Sequence, residues 1–308
     1  MGQKKKFNYV DFILKYLSVI LMIIALIYIG VNNHYFFKVN NIISILLQTA
    51  SLAIMAMGMT FVLITGGIDL SIPPVMALGA ILGTLYMQHG GNGFIAFLIM
   101  LAVGVGCGLV NGYAIAYLNM IPFIVTLSLQ TITYGACLWI ASNGISGVSD
   151  GFKQVVLFKL FLLMIIAEVM LKKTYLGREL YLVGTNVKMA DVSGINSKRV
   201  ILSVYVLSGI LASLAGMIYI ARMGAASASM GADTAVTDIV GAAVIGGAST
   251  SGGIGTAKGA VFGAIFITII GNAANMLHLS YNVTMMMKGI LILAFVAMDM
   301  IRRSRRGL

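Results

Sequence analysis

Charge is what this sequence has least of: Asp, Glu, Lys and Arg together make 9% of its 308 residues, against about 25% in an ordinary soluble domain. That shortage excludes water as the main solvent of the folded surface, and a mean hydropathy of +1.01 says the same. Acids are the scarcer sign, nine against twenty Lys and Arg. Cysteine is nearly missing. The two present, Cys107 and Cys137, lie inside apolar stretches, where a free thiol behaves as a small hydrophobe, so neither a disulfide nor a metal site is expected. The three histidines, His34, His89 and His278, are too scattered to form a ligand cluster and read as polar residues at loop ends. No Gly-Lys-Ser/Thr phosphate loop occurs, and no nucleophile, base and acid stand in a recognisable grouping. These absences argue against an enzyme and against any cofactor bound by this chain.

What the chain has in abundance is apolar runs of about 20 residues, each long enough to cross a hydrocarbon core of about 30 Å as a helix. They fall near 12–30, 42–64, 73–88, 94–118, 121–142, 155–171, 200–221, 236–249, 257–277 and 283–301. This predicts an all-α polytopic membrane protein, with about ten transmembrane helices forming a single domain over 1–308 in a lipid bilayer. The net charge of +11 does not point to nucleic acid, because the basic residues cluster at the edges of the apolar runs. There they read as topology signals. With Lys4, Lys5 and Lys6 on the cytoplasmic side, only Lys38, Lys153, Lys159, Arg222 and Lys288 fall outside, and the other fifteen lie inside. Both termini are therefore expected in the cytoplasm. The first run follows a basic start, yet Tyr28-Ile29-Gly30-Val31 offers no small-x-small cleavage site, and it reads as a retained anchor.

Two segments interrupt the apolar pattern. Gly66-Gly67-Ile68-Asp69-Leu70-Ser71-Ile72-Pro73-Pro74 must break a helix. Asp69 or Ser71 can cap the helix that follows, and prolines are tolerated in a first turn, where an amide donor would lack an intrahelical partner. Unpaired backbone is costly in lipid, so such a break is expected to be buried in protein or to line a watery cavity. Asp69 then has two readings. It is either an acid of a polar pathway, costly at mid-bilayer by about 2.5–3.5 kcal/mol, or a solvated cap at the inner end of a span. Asp238 and Glu168 raise the same question, while Asp299 is a neighbour of Arg302 and Arg303. The second break runs from Gly246 to Thr256. Gly66, Gly67, Ser71, Ala77, Gly79, Ala80 and Gly83 recur, at one constant offset, as Gly246, Gly247, Ser251, Ala257, Gly259, Ala260 and Gly263. Such a repeat predicts two related halves with broken helices, as in many transporters.

Amides at Asn111, Gln130, Asn143, Asn272 and Asn275 lie in or beside apolar runs, where each bonds a neighbouring helix or a ligand in a pathway. Gly104, Gly106, Gly108 and Gly112 allow close helix approach. The one long loop, 172–199, is also the most charged stretch between spans. Within it, 186–193 suits a short helix ended by Gly194. It reads either as a docking surface or as a solvated connector.

Several motifs together resemble the permease subunits of bacterial ATP-binding-cassette importers for monosaccharides, the ribose, xylose and galactose group. They are Thr65-Gly66-Gly67-Ile68-Asp69-Leu70-Ser71, Asn111-Gly112, Pro122-Phe123-Ile124-Val125-Thr126-Leu127, and Gly177-Arg178-Glu179 with Gly184, Asn186, Ala190 and Ser193-Gly194-Ile195. Asp238, Val244-Ile245-Gly246-Gly247 and Ser251-Gly252-Gly253 continue the match. Pro73-Pro74, Tyr134 and Val236 depart from the usual pattern. The resemblance implies a bacterial inner-membrane permease for a pentose or hexose, working with a second permease chain (identical or a paralogue), a cytoplasmic ATPase that uses the ATP, and an extracytoplasmic sugar-binding protein. It implies ATPase coupling through Arg178, Asn186, Ala190, Ser193 and Gly194. The candidate pathway residues are Asp69, Ser71, Asn111, Thr126, Gln130, Asn272 and Asn275. The competing class is a proton-coupled secondary transporter using Asp69, Asp238 or Glu168.

Overall fold

A computed structural model describes residues 33–149 and 160–306, together with scattered positions between 20 and 31. The expected first span therefore lies largely outside the described residues, as does the start of the span expected at 155–171. In lipid only helices and closed barrels satisfy their own backbone groups, and the chain takes the helical solution. The helices are α1 (Val39–Ile64), α2 (Ile72–Gln88), α3 (Gly93–Ala116), α4 (Pro122–Ala141), α5 (Leu160–Lys173), α6 (Tyr175–Thr185), α7 (Val187–Val192), α8 (Ser197–Met223), α9 (Asp233–Ile245), α10 (Ala257–Met276) and α11 (Tyr281–Arg306). Among the described residues, α1, α3, α4, α8, α10 and the Tyr281–Met298 part of α11 are long and apolar enough to cross a membrane. The helix Ile72–Gln88 and the Ala235–Ile245 stretch are shorter apolar pieces. The protein is thus an all-α, multi-pass membrane protein. Its described β-structure is one short antiparallel pairing, Ile145 with Ala226 and Ser146 with Ala225.

The chain divides into two compact units, Met1–Ile45 with Thr268–Leu308, and Leu46–Ile267. In the larger unit, α3 and α8 pack with their backbones almost touching. A Cβ on Gly104 would run into the Gly209 carbonyl, and one on Gly209 into the Gly104 carbonyl. One and two turns further along α3, Gly108 faces the Tyr205 carbonyl at 2.6 Å and Gly112 the Leu202 carbonyl at 2.9 Å from an added Cβ. This i, i+4 stripe is the small-residue packing by which membrane helices associate. Gly106 is different: it faces open space and takes no part. Ser213 Oγ donates to the Met100 carbonyl at 2.6 Å across the same pair of helices.

The smaller unit is tied by amides. Asn41 Nδ2 donates to Asn272 Oδ1 at 3.1 Å, and Asn272 Nδ2 returns the bond to Asn41 Oδ1 at 2.9 Å. Asn41 also donates to the Phe36 carbonyl, and Asn33 Nδ2 to the Met276 carbonyl at 3.2 Å. Interhelical bonds of this kind are worth about 0.6–2 kcal/mol in membranes. Asn272→Leu removes both halves of the reciprocal pair, and a fall of about 1 kcal/mol in stability is expected, read as a lower melting temperature in detergent.

Candidate functional site

The first break is built around a buried carboxylate. α1 stops in a left-handed glycine: Gly66 has φ +79°, its amide bonds the Leu63 carbonyl at 2.9 Å, and the Gly67 amide reaches back to the Val62 carbonyl at 3.2 Å. This is a Schellman cap. The chain then carries Asp69 inward, where it is 3% exposed. Asp69 Oδ1 accepts from the Ser71 amide at 3.0 Å and the Ser71 hydroxyl at 2.6 Å. Asp69 Oδ2 accepts from the Ser208 hydroxyl of α8 at 2.8 Å. Asn111 of α3 donates to Ser71 Oγ at 2.9 Å and lies 3.4 Å from Asp69 Oδ1. Its own Oδ1 accepts no hydrogen bond.

Ser71 occupies the N-cap position of α2 but makes no side-chain cap bond, with prolines in the first helical turn. Its hydroxyl donates to Asp69 instead, so the expected cap is an Asx turn centred on the acid. A second cluster closes on the neighbouring carbonyl. Thr126 Oγ1 of α4 and Tyr205 Oη of α8 approach the Ile68 carbonyl at 3.3 and 3.4 Å. Gln130 lies one turn after Thr126 on α4 and is buried. Asp69, Ser71, Asn111 and Thr126 therefore come together, and they do so around protein groups.

Asn272 and Asn275 belong to the smaller unit. Asn272 is buried and held by Asn41, and Asn275 is exposed. Ser208 and Tyr205 were not legible as site residues. One is a small hydroxyl and the other an aromatic within an apolar run, and their only sequence signal is polarity at that depth. Glu168 is a helix cap: its Oε2 accepts the Lys258 amide in the first turn of α10 at 3.1 Å, and Lys172 pairs with its other oxygen at 2.6 Å. Side chains of Asp233, Thr234 and Asp299 lie outside the described residues.

The second break is also a Schellman cap. Gly247 has φ +87°, the Gly247 amide bonds the Val244 carbonyl at 2.8 Å, and Ala248 returns to Ala243 at 3.0 Å. Thus the left-handed glycine is the first of the pair in one break and the second in the other. The two breaks share a device but are out of step by one residue. α9 and α10 approach closely behind it, with added Cβ atoms on Gly246 and Gly259 each striking the other's carbonyl.

The loop 172–199 is more ordered than expected, holding α6 as well as the short helix α7. Thr174 caps α6 by accepting the Gly177 amide at 3.3 Å. Asn186 caps α7 through the Met189 amide at 3.1 Å. Gly194 ends α7 with φ +83°, and Ile195 N bonds the Ala190 carbonyl at 3.1 Å. Ser193 Oγ donates to the Met189 carbonyl at 2.8 Å. Ala190 is buried, whereas Arg178 is exposed and stacks 4.6 Å from the Tyr175 ring centre. Tyr175, Leu182, Met189 and Val192 are exposed apolar side chains of the same loop.

α6 is anchored on both breaks. A Cβ on Gly184 would strike the Ile64 carbonyl at the end of α1 and meet the Gly253 amide at 2.9 Å. The Gly253 amide donates to that same Ile64 carbonyl at 2.8 Å. Tyr181 Oη donates to the Gly255 carbonyl at 2.6 Å. Burial, reinforced by the Glu168 charge, pushes the Tyr181 phenol above its ordinary range, so it stays a donor at physiological pH.

Apolar helices interrupted by glycine caps, with an acid folded inside and a helical loop resting on both interruptions, have the build of a membrane permease. Residues 41–296 match the family described as branched-chain amino acid transport system / permease component, and the chain belongs to that family. The Ribose import permease protein RbsC of Escherichia coli is 33% identical over 299 residues, covering 92% of each chain. The D-allose transport system permease protein AlsC of the same species is 34% identical over 314 residues, 97% of this chain and 95% of that one. The Ribose import permease protein RbsC of Bacillus subtilis is 33% identical over 291 residues, 90% of each. No solved structure matches. The chain is a permease subunit and not itself an enzyme.

Proposed function

We propose that this chain forms part of the membrane pathway of an ATP-driven importer for a pentose or hexose. The observation that carries this reading is the near-full-length similarity to permeases named for ribose and allose, which outweighs the amino acids in the family's description. ATP is used by a separate cytoplasmic ATPase. Its docking surface is the loop 172–199, where Tyr175, Arg178, Leu182, Met189 and Val192 are exposed apolar and basic side chains. A second permease chain and an extracytoplasmic sugar-binding protein complete the assembly in the bacterial cytoplasmic membrane.

The basic-residue count puts both termini, both breaks and this loop on the inner side. The contacts of Gly184 with Ile64 and Gly253 support that placement, since they bring those three segments to one face. About ten spans in two related halves remain the architecture that the charge pattern and the repeat favour. Asp69, Ser71, Asn111 and Thr126 back the pathway by fixing the shape of the first break, Gln130 is a further candidate one turn along α4, and Asn272 and Asn275 are candidates within the smaller unit.

Proteoliposomes holding the chain with its ATPase and binding protein, and loaded with ATP, are expected to accumulate D-ribose, D-allose or D-galactose. Uptake should persist when the proton gradient is collapsed. Uptake of leucine alone would overturn the sugar assignment, and loss of uptake with the gradient would restore the secondary transporter.

A further inference from the structure

We propose that the backbone junction of Gly184, Ile64 and Gly253, strapped by Tyr181 to Gly255, is the element that carries movement of the loop 172–199 to the Asp69 break. The inference rests on the importer reading above. Four observations carry it. The Gly253 amide bonds the Ile64 carbonyl at 2.8 Å, so the second break is stitched to the end of the first. Gly184 leaves no room beside that bond, because a Cβ there would collide with the Ile64 carbonyl. Gly252 fits equally closely: its Cβ would stand 2.5 Å from the Gly184 carbonyl and 3.3 Å from the Gly66 amide. The Tyr181 hydroxyl ties α6 to the Gly255 carbonyl, just past Gly253, at 2.6 Å.

These contacts are made mostly by main chain. Side chains yield by changing rotamer, whereas closely packed backbone has no such freedom, so a displacement of α6 must displace both breaks. Leu180 and Val183 are both buried, so α6 is packed into the protein along one face. From Gly66 the chain runs directly into Asp69, whose carboxylate is fastened to Ser208 of α8 at 2.8 Å. A push on α6 therefore arrives at α2 and α8 through one continuous set of hydrogen bonds and backbone contacts. This gives the glycines of both breaks a purpose beyond stopping helices: they let three backbones meet at one point.

The test uses the assembled complex in proteoliposomes, with sugar uptake and ATP hydrolysis measured together on D-ribose, D-allose and D-galactose. Tyr181→Phe removes one hydrogen bond and little volume, so the complex is expected to assemble and hydrolyse ATP while sugar moved per ATP falls about threefold or more. Gly184→Ala should lower that ratio further. Equal falls in uptake and hydrolysis, or an unchanged ratio in Tyr181→Phe, would overturn the junction as a transmitting element and leave it a packing contact. A wild-type complex with no ATP-dependent uptake of any of the three sugars would instead overturn the proposed function, and this inference with it.

Discussion

Gly209→Ala is expected to destabilise the protein by about 3 kcal/mol or more, and Gly104→Ala by a similar amount, because each added methyl meets a main-chain carbonyl that cannot step aside. Two opposing effects have to be weighed. Replacing a mid-helix glycine by alanine favours the helix by about 0.5–1 kcal/mol. Overpacking at a tight site costs about 1–3 kcal/mol and more where the neighbour is rigid. At Gly104 the neighbours are the Gly209 carbonyl and the Ser213 hydroxyl, itself engaged with Met100, so the overpacking term wins. Gly106, on the same helix with no atom near an added Cβ, carries only the propensity term. Gly106→Ala should therefore leave the melting temperature in detergent unchanged or slightly higher. Equal losses at all three positions would mean that the glycines matter to the helix alone and that the close approach of α3 and α8 contributes little.

This contrast also shows which features of the fold were legible. Long apolar runs declare helices whatever their partners, and each apolar run among the described residues holds a helix, six of them long and apolar enough to cross a membrane. Glycine content, however, does not say which glycine faces a neighbour. Gly104, Gly108 and Gly112 share one face at a spacing of four, and Gly106 does not, so helical periodicity carried a signal that composition alone conceals. α6 was hidden for a related reason. Its charged face and its two glycines, Gly177 and Gly184, read as loop, while the buried Leu180 and Val183 are too few to stand out.

The breaks were readable from glycine and proline, because no helix continues through them. Their details were not. Local sequence places Asp69 beside Ser71, but only tertiary packing brings Asn111 and Ser208 to the same carboxylate. The repeat matches glycine pairs at a fixed offset, yet the left-handed residue is Gly66 in one break and Gly247 in the other. Either glycine of a pair can adopt positive φ, so the sequence leaves that choice to the packing around each turn.

Asp69→Ala is expected to cost about 3 kcal/mol, because it strands the Ser71 amide, the Ser71 hydroxyl and the Ser208 hydroxyl in a buried site. An orphaned buried donor costs about 1–3 kcal/mol. Hydroxyls recover part of this by rotating toward other acceptors, and interhelical bonds within membranes average nearer 0.6 kcal/mol, so the full sum is not reached. Asp69→Asn is a gentler change. Its carbonyl oxygen can keep both Ser71 bonds, and its amide nitrogen can donate to Ser208 Oγ, since a serine hydroxyl accepts as well as donates. Assembly and melting temperature should then stay close to wild type, and sugar uptake within about two-fold, equivalent to about 0.4 kcal/mol in the rate-limiting barrier. That pairing of outcomes separates the two roles open to the acid. A melting loss in Asp69→Ala with uptake kept in Asp69→Asn identifies the carboxylate as the tie that fixes the first break. A fall in Asp69→Asn uptake of ten-fold or more at unchanged melting temperature would instead show that its charge itself serves the pathway, and would place the sugar or a proton at Asp69.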